Sequence, residues 1–162
     1  KGKSEILYQK RLQKFYDLMV WGAIAVALPT TLLADWIILI LYGVDYQEAG
    51  DVLRIYIWAG VFIFLGVASF KWLVAENLQH FSFYLYTIGS IVNIGCNWFL
   101  IPVYGINGAA FATFVSYGIG SYGGFFIFRK SRSNFLMATQ SFSPYGVYKR
   151  FADRELLKYV DG

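Results

Sequence analysis

The sequence predicts an all-α protein, a polytopic membrane helix bundle with four transmembrane helices. Three observations carry that prediction. The chain is 57% hydrophobic and only 15% charged, where soluble domains hold about 25% charged residues, so there is too little polar surface to coat a soluble body. Four runs are as long and apolar as a membrane helix of about 20 residues requires. Lys and Arg gather near the chain ends, with the apolar runs between them.

Residues 1–14 form a basic arm carrying Lys1, Lys3, Lys10, Arg11 and Lys14. The chain opens on Lys1 and is expected to be a piece of something longer. The first span, 15–34, reads "FYDLMVWGAIAVALPTTLLA" and is uncharged after Asp17. "DWIILILYG" follows, either as an extension of that span or as a short interfacial helix. The second span covers about 53–75, the third 81–103 and the fourth 107–128. None alternates strictly between apolar and polar residues, which argues against barrel strands.

The third and fourth spans are separated only by "PVYGING". Pro102 removes a backbone donor, and Gly105 tolerates a positive φ. Two helices so joined lie side by side and antiparallel. Unpaired backbone groups are not tolerated in hydrocarbon, so the turn belongs at an interface.

Charge sets the direction of the spans. The N-terminal arm and the segment opening on Arg129, Lys130 and Arg132 are basic. The loop between spans one and two holds Asp35, Asp45, Glu48 and Asp51 against Arg54, and the "YGING" turn is uncharged. The excess of Lys and Arg on cytoplasmic loops then puts both ends in the cytoplasm and the acidic loop and the turn outside. The net charge of +4 is accounted for by these loops facing anionic lipid, and no nucleic-acid partner is expected. Residues 129–162 form a cytoplasmic tail. Within it "YKRFADRELLKYV" reads as an amphipathic helix lying on the leaflet, with Phe151, Leu156, Leu157 and Val160 apolar, or as a partly ordered tail.

Polar groups inside the apolar runs need a partner or a task. Asn93 and Asn97 are four residues apart on one face of span three, beside Gly89 and Ser90. They either join helices or line a wet cavity. Gly108, Ala112, Ser116, Gly120 and Gly124 recur every fourth residue in span four. Such a stripe of small side chains lets backbones approach, and otherwise suits a sliding helix or leaves room for a ligand. Arg54 and Lys71 flank span two and either snorkel to the interfaces or hold an anion. Asp17 reads as an interfacial carboxylate, with pairing to a cation or uptake of a proton as alternatives. Pro29 is expected to kink span one, with Thr30 and Thr31 satisfying freed carbonyls.

Catalytic motifs are missing: no His–carboxylate pair, nucleophile elbow or phosphate loop stands in the sequence. Cys96 is single, which rules out an intrachain disulfide and a cysteine-based zinc site, and the single His80 argues against a His-cluster metal site. An enzyme is not expected, and neither a metal nor a cofactor, although a coupling ion, H+ or Na+, is left open.

The stretch "NIGCNWFLIPVYGINGAAFATFVSYG" resembles the late-chain signature of polysaccharide flippases, the O-antigen and capsular repeat-unit translocases of the multidrug, oligosaccharidyl-lipid and polysaccharide exporter superfamily. "LYGVDYQEAGDVLRI" is similar to a second element of that family, and the two matches bracket residues 41–118. The resemblance implies the last four helices of a twelve-helix, two-lobed transporter in a bacterial or archaeal plasma membrane. It implies translocation of an undecaprenyl-diphosphate-linked oligosaccharide for surface polysaccharide, including lipopolysaccharide, by alternating access. The partners implied are the lipid-linked oligosaccharide, membrane lipids and the missing N-terminal helices. Arg54, Lys71, Asn93, Asn97 and Ser116 are the substrate-path candidates: amides and hydroxyl for sugars, cations for the diphosphate. Rival readings are a small-molecule antiporter of the same superfamily, a membrane enzyme of the polysaccharide pathway, and a membrane scaffold.

Overall fold

The computed structural model describes residues 2–152, with side chains from residue 5 onward. Among the described residues every regular element is helical. Helix α1 is Gly2–Tyr42, α2 is Ala49–Ala75, α3 is His80–Gly118, α4 is Gly124–Ile127, α5 is Arg132–Ser141 and α6 is Pro144–Ala152. A π-helical turn, Ile119–Gly123, joins α3 to α4. By length and composition three stretches are able to cross a membrane: Glu5–Leu32, Ala49–Ala75 and His80–Ile127.

α1 is a single 41-residue helix, longer than the expected first span at both ends. The basic arm from residue 2 onward is helical, and "DWIILILY" extends the helix rather than forming a separate interfacial one. Pro29 lies inside it. The proline has no N–H for the carbonyl of Ala25, four residues back. Thr30 and Thr31 instead donate to the next two carbonyls, those of Val26 at 2.8 Å and Ala27 at 2.7 Å. Gly43, at φ 87°, ends the helix, a conformation open to glycine and strained for other residues.

Buried side chains on α1 follow steps of three and four: Tyr16, Val20, Ala23 and Ala27, continued by Ala34 and Ile38. Val61, Leu65, Ala68 and Trp72 do the same on α2. Each helix thus turns one stripe inward. These stripes are rich in alanine, while Leu18, Val26, Leu32 and Phe64 lie exposed. Ala23, Ala27, Ala34 and Ala68 let the backbones approach between larger inward side chains such as Tyr16, Leu65 and Trp72, and large apolar residues facing outward suit a lipid surround.

α2 ends in a Schellman motif. Leu78 N–H reaches the Leu73 carbonyl at 2.7 Å and Asn77 N–H that of Val74 at 3.1 Å. Asn77 takes φ 56°, the left-handed cap position that asparagine tolerates best after glycine.

α3 reverses at Gly105, at φ 56° and ψ −135°, giving arms 80–104 and 106–118. The arms run antiparallel in close contact. A Cβ on Gly89 would lie 3.3 Å from the Ser116 carbonyl oxygen, one on Gly120 would lie 3.4 Å from that of Leu85, and one on Gly108 would overlap the Leu100 carbonyl. Gly108, Ala112, Ser116, Gly120 and Gly124 are all buried. In a regular helix every fourth residue drifts about 40° around the axis, so this stripe would wind away from its neighbour. The π turn, where Gly124 N–H bonds to the Ile119 carbonyl, advances less per residue and offsets part of that drift. Gly124 then meets the Leu85 side chain.

The tail does not trail away. Phe128 leaves the helical region at φ −92°, ψ 119°, and the Ser131 hydroxyl caps the end by donating to the carbonyls of Phe125 at 2.9 Å and Phe128 at 3.0 Å. α5 then folds back against α1 and α4. α6 covers the start of the expected amphipathic helix; Leu156, Leu157 and Val160 lie outside the described residues.

Candidate functional site

Along the α3 hairpin opens a groove of about 420 Å³ whose walls include Tyr86, Ser90, Asn93, Thr113, Ser116 and Tyr117. A chain of hydrogen bonds runs through it. Asn97 Nδ2 donates to Asn93 Oδ1 at 2.9 Å, Asn93 Nδ2 to Ser116 Oγ at 3.3 Å, and Ser116 Oγ to the Thr113 carbonyl at 2.9 Å. The four-residue spacing of the asparagines makes the first link, and the Gly105 reversal makes the second by bringing Ser116 opposite Asn93. Asn93 therefore joins the two arms and also faces the groove. Asn97 Oδ1 is buried and has no hydrogen-bond partner among the described residues. Every group named here is neutral, and the groove offers hydroxyls and amides, which both donate and accept and so match hydroxyl-rich ligands.

The candidate cations stand elsewhere. Arg54 is held between two carboxylates, Asp51 Oδ1 at 2.7 Å and Asp35 Oδ2. Asp35 is brought close because Gly50 opposes it without a side chain. Lys71 places its Nζ 5.3 Å from the centre of the Phe15 ring, a cation–π contact. The structure thus brings Asn93, Asn97 and Ser116 together and separates them from Arg54 and Lys71. An anion held by Arg54 would have to compete with two carboxylates already there.

A second polar cluster was not anticipated from the sequence. Asp17, read as an interfacial carboxylate with pairing to a cation as an alternative, is 0% exposed and takes the paired alternative. Its Oδ2 accepts from Arg150 Nε at 2.7 Å and its Oδ1 from Arg150 Nη2 at 2.8 Å and Gln13 Nε2 at 3.1 Å. Gln13 Nε2 also lies 2.9 Å from Ser141 Oγ and 3.0 Å from the Met137 carbonyl. One turn further, Asn134 Oδ1 accepts from Tyr16 OH at 3.0 Å and Ser69 Oγ at 3.1 Å, while its Nδ2 has no partner among the described residues. Trp21 Nε1 donates to the Ser141 carbonyl at 2.9 Å. The signal lay in the stripe Ser131, Asn134, Ala138 and Ser141, which has helical spacing but is small and polar. A search for apolar stripes passes over it. A cleft of about 480 Å³ opens beside this cluster, bounded in part by Gln9, Lys14, Gln140 and Arg150. Two of its cations are engaged, Arg150 on Asp17 and Lys14 over the Phe151 ring at 5.4 Å.

No family model matches the chain, and comparison with curated proteins and with solved structures finds no significant match.

Proposed function

We propose that this chain is part of a transporter that moves an undecaprenyl-diphosphate-linked oligosaccharide repeat unit across the plasma membrane for surface polysaccharide assembly. On this reading both arms of α3 cross the bilayer, beside α1 and α2. The first arm, residues 80–104, would be roughly 37 Å long and the second, continued through residue 127, roughly 33 Å. Both exceed the hydrocarbon core of about 30 Å. The two basic ends would face the cytoplasm and the Gly105 turn the exterior.

The observation that supports this reading is the neutral polar groove on the α3 hairpin. Exposed Trp98, Phe99, Ile91 and Ile94 surround it on the first arm, so its amides and hydroxyls interrupt a surface otherwise suited to lipid. Such groups are costly against hydrocarbon and have a use where water or a polar ligand passes. Sugars match them in charge and hydrogen-bonding character. The lipid tail would stay in the bilayer while the sugars cross the hydrated side. With Arg54 and Lys71 engaged elsewhere, the diphosphate would be met by helices outside this chain.

The test is replacement of Asn93 and Asn97 by Leu in the full-length transporter. The expected outcome is a fall in surface polysaccharide at unchanged protein level. Equal loss of protein and polysaccharide would reduce the asparagines to helix joints and remove the support for this reading.

A further inference from the structure

The side chains of α6 divide into two faces. Tyr145, Tyr148 and Phe151 recur every third residue and cover an arc of about 120°. They are 76%, 73% and 53% exposed. Arg150 lies about 160° around the helix from Tyr148 and points the other way, into the bundle, where it forks onto Asp17. Lys14, one turn before Asp17 on α1, sits over the Phe151 ring. The two contacts fix the rotation of α6 about its own axis. Rotated by half a turn, the helix would swing Arg150 outward and strip the buried carboxylate of its counter-ion.

We propose that α6 is an interfacial helix whose Tyr145, Tyr148 and Phe151 seat in the headgroup layer of an anionic leaflet, with the Asp17–Arg150 fork holding that face toward lipid. Two features identify the occupant. First, tyrosine rings such as Tyr145 and Tyr148, with one polar and one apolar end, favour the membrane–water boundary, and Phe151 adds an apolar ring to the same face. The tie to Asp17 holds α6 at the end of the apolar run of α1, where the charged residues Lys10, Arg11 and Lys14 begin. Second, with Arg150 neutralised by Asp17, residues 129–149 hold Arg129, Lys130, Arg132 and Lys149 and no Asp or Glu, a charge complement to anionic headgroups. The inference rests on the membrane reading of α1, α2 and α3 and is independent of what is transported.

Site-directed quenching tests it on the whole chain in phosphatidylcholine vesicles, with and without phosphatidylglycerol. In a Cys96→Ser background, a fluorophore is placed on Tyr148→Cys or, as a reference in the middle of α2, on Phe64→Cys. The quenchers are nitroxide-labelled lipid, carrying the nitroxide near the headgroup or deep in the acyl chain, and iodide in the buffer on both faces. The Tyr148→Cys label should be quenched several-fold more by headgroup nitroxide than by iodide, and more with phosphatidylglycerol than without. Adding Arg150→Ala should shift that ratio toward iodide. Dominant iodide quenching at Tyr148→Cys, with deep nitroxide still quenching Phe64→Cys, overturns the proposal alone. No nitroxide quenching at Phe64→Cys removes the membrane reading and the proposal with it. An unchanged ratio in Arg150→Ala overturns the orienting role of the fork, and indifference to phosphatidylglycerol overturns the choice of an anionic surface.

Discussion

Arg150 closes a two-toothed fork on Asp17 across 133 residues of chain, Nε to Oδ2 at 2.7 Å and Nη2 to Oδ1 at 2.8 Å. Both carboxylate oxygens are occupied, and the carboxylate is fully buried while the guanidinium is a quarter exposed. That asymmetry decides how the pair responds to mutation.

Arg150→Ala strands a buried carboxylate. Removing one partner of a buried pair destabilises by about 3–5 kcal/mol, and the low end applies because α6 is peripheral. Asp17→Asn keeps the Gln13 contact and leaves a guanidinium that reaches water, so about 1 kcal/mol is expected. Thermal unfolding of the two variants in detergent checks the order. Equal effects would place the carboxylate in water.

Tyr16→Phe removes one of the two donors to Asn134 Oδ1 and leaves the other, Ser69 Oγ. A loss of about 1 kcal/mol is expected, the net worth of one buried hydrogen bond. Asn134→Ala removes the acceptor the two donors share, leaving Tyr16 OH only its long 3.5 Å approach to Ser69 Oγ, and opens a void, and should lose about 3 kcal/mol. Unfolding midpoints measured side by side separate the two.

Gly108→Ala drives a Cβ into the Leu100 carbonyl, which is backbone and has little room to yield. Overpacking of this kind destabilises by about 1–3 kcal/mol. Gly22→Ala is its control, because a Cβ there meets nothing within 4 Å among the described residues; that variant should stay within about 0.5 kcal/mol of the parent or gain slightly from helix propensity. A hairpin whose arms are not in contact would show no difference between the two glycines.

Gly105→Ala meets no steric obstacle either, yet it forces a side chain onto φ 56°. The expected loss is about 1–3 kcal/mol from backbone strain alone. Gly105→Asn should lose a similar amount, since ψ −135° lies outside the left-handed helical region that asparagine tolerates. The comparison reads out whether the reversal is set by conformation at this residue.

The "PVYGING" reversal was legible because its cause is local. A positive-φ glycine acts through its own backbone, and neighbours in sequence suffice to see it, whereas Pro102 lies inside the helical first arm and the reversal falls at Gly105. The asparagines and the small-residue stripe were legible as helical spacings, and the Gly105 reversal lets Asn93 reach Ser116. The α1–α5 cluster was not legible in the same way. Gln13, Asp17, Asn134 and Ser141 look like surface residues by type, and only a partner more than a hundred residues away makes their burial tolerable.

By itself the sequence determined an all-helical chain with stretches long and apolar enough to cross a membrane, because apolar content and the length of uninterrupted runs decide which solvent a helix can face. It also determined where the third stretch breaks. Tertiary structure alone decided that Asp17 is a buried member of an ion pair, that Arg54 is spent on two carboxylates, and that α5 and α6 are tied to the bundle. Those outcomes depend on which distant side chain arrives opposite a charge, and the energy of a charge depends on its partner and its burial far more than on its neighbours along the chain.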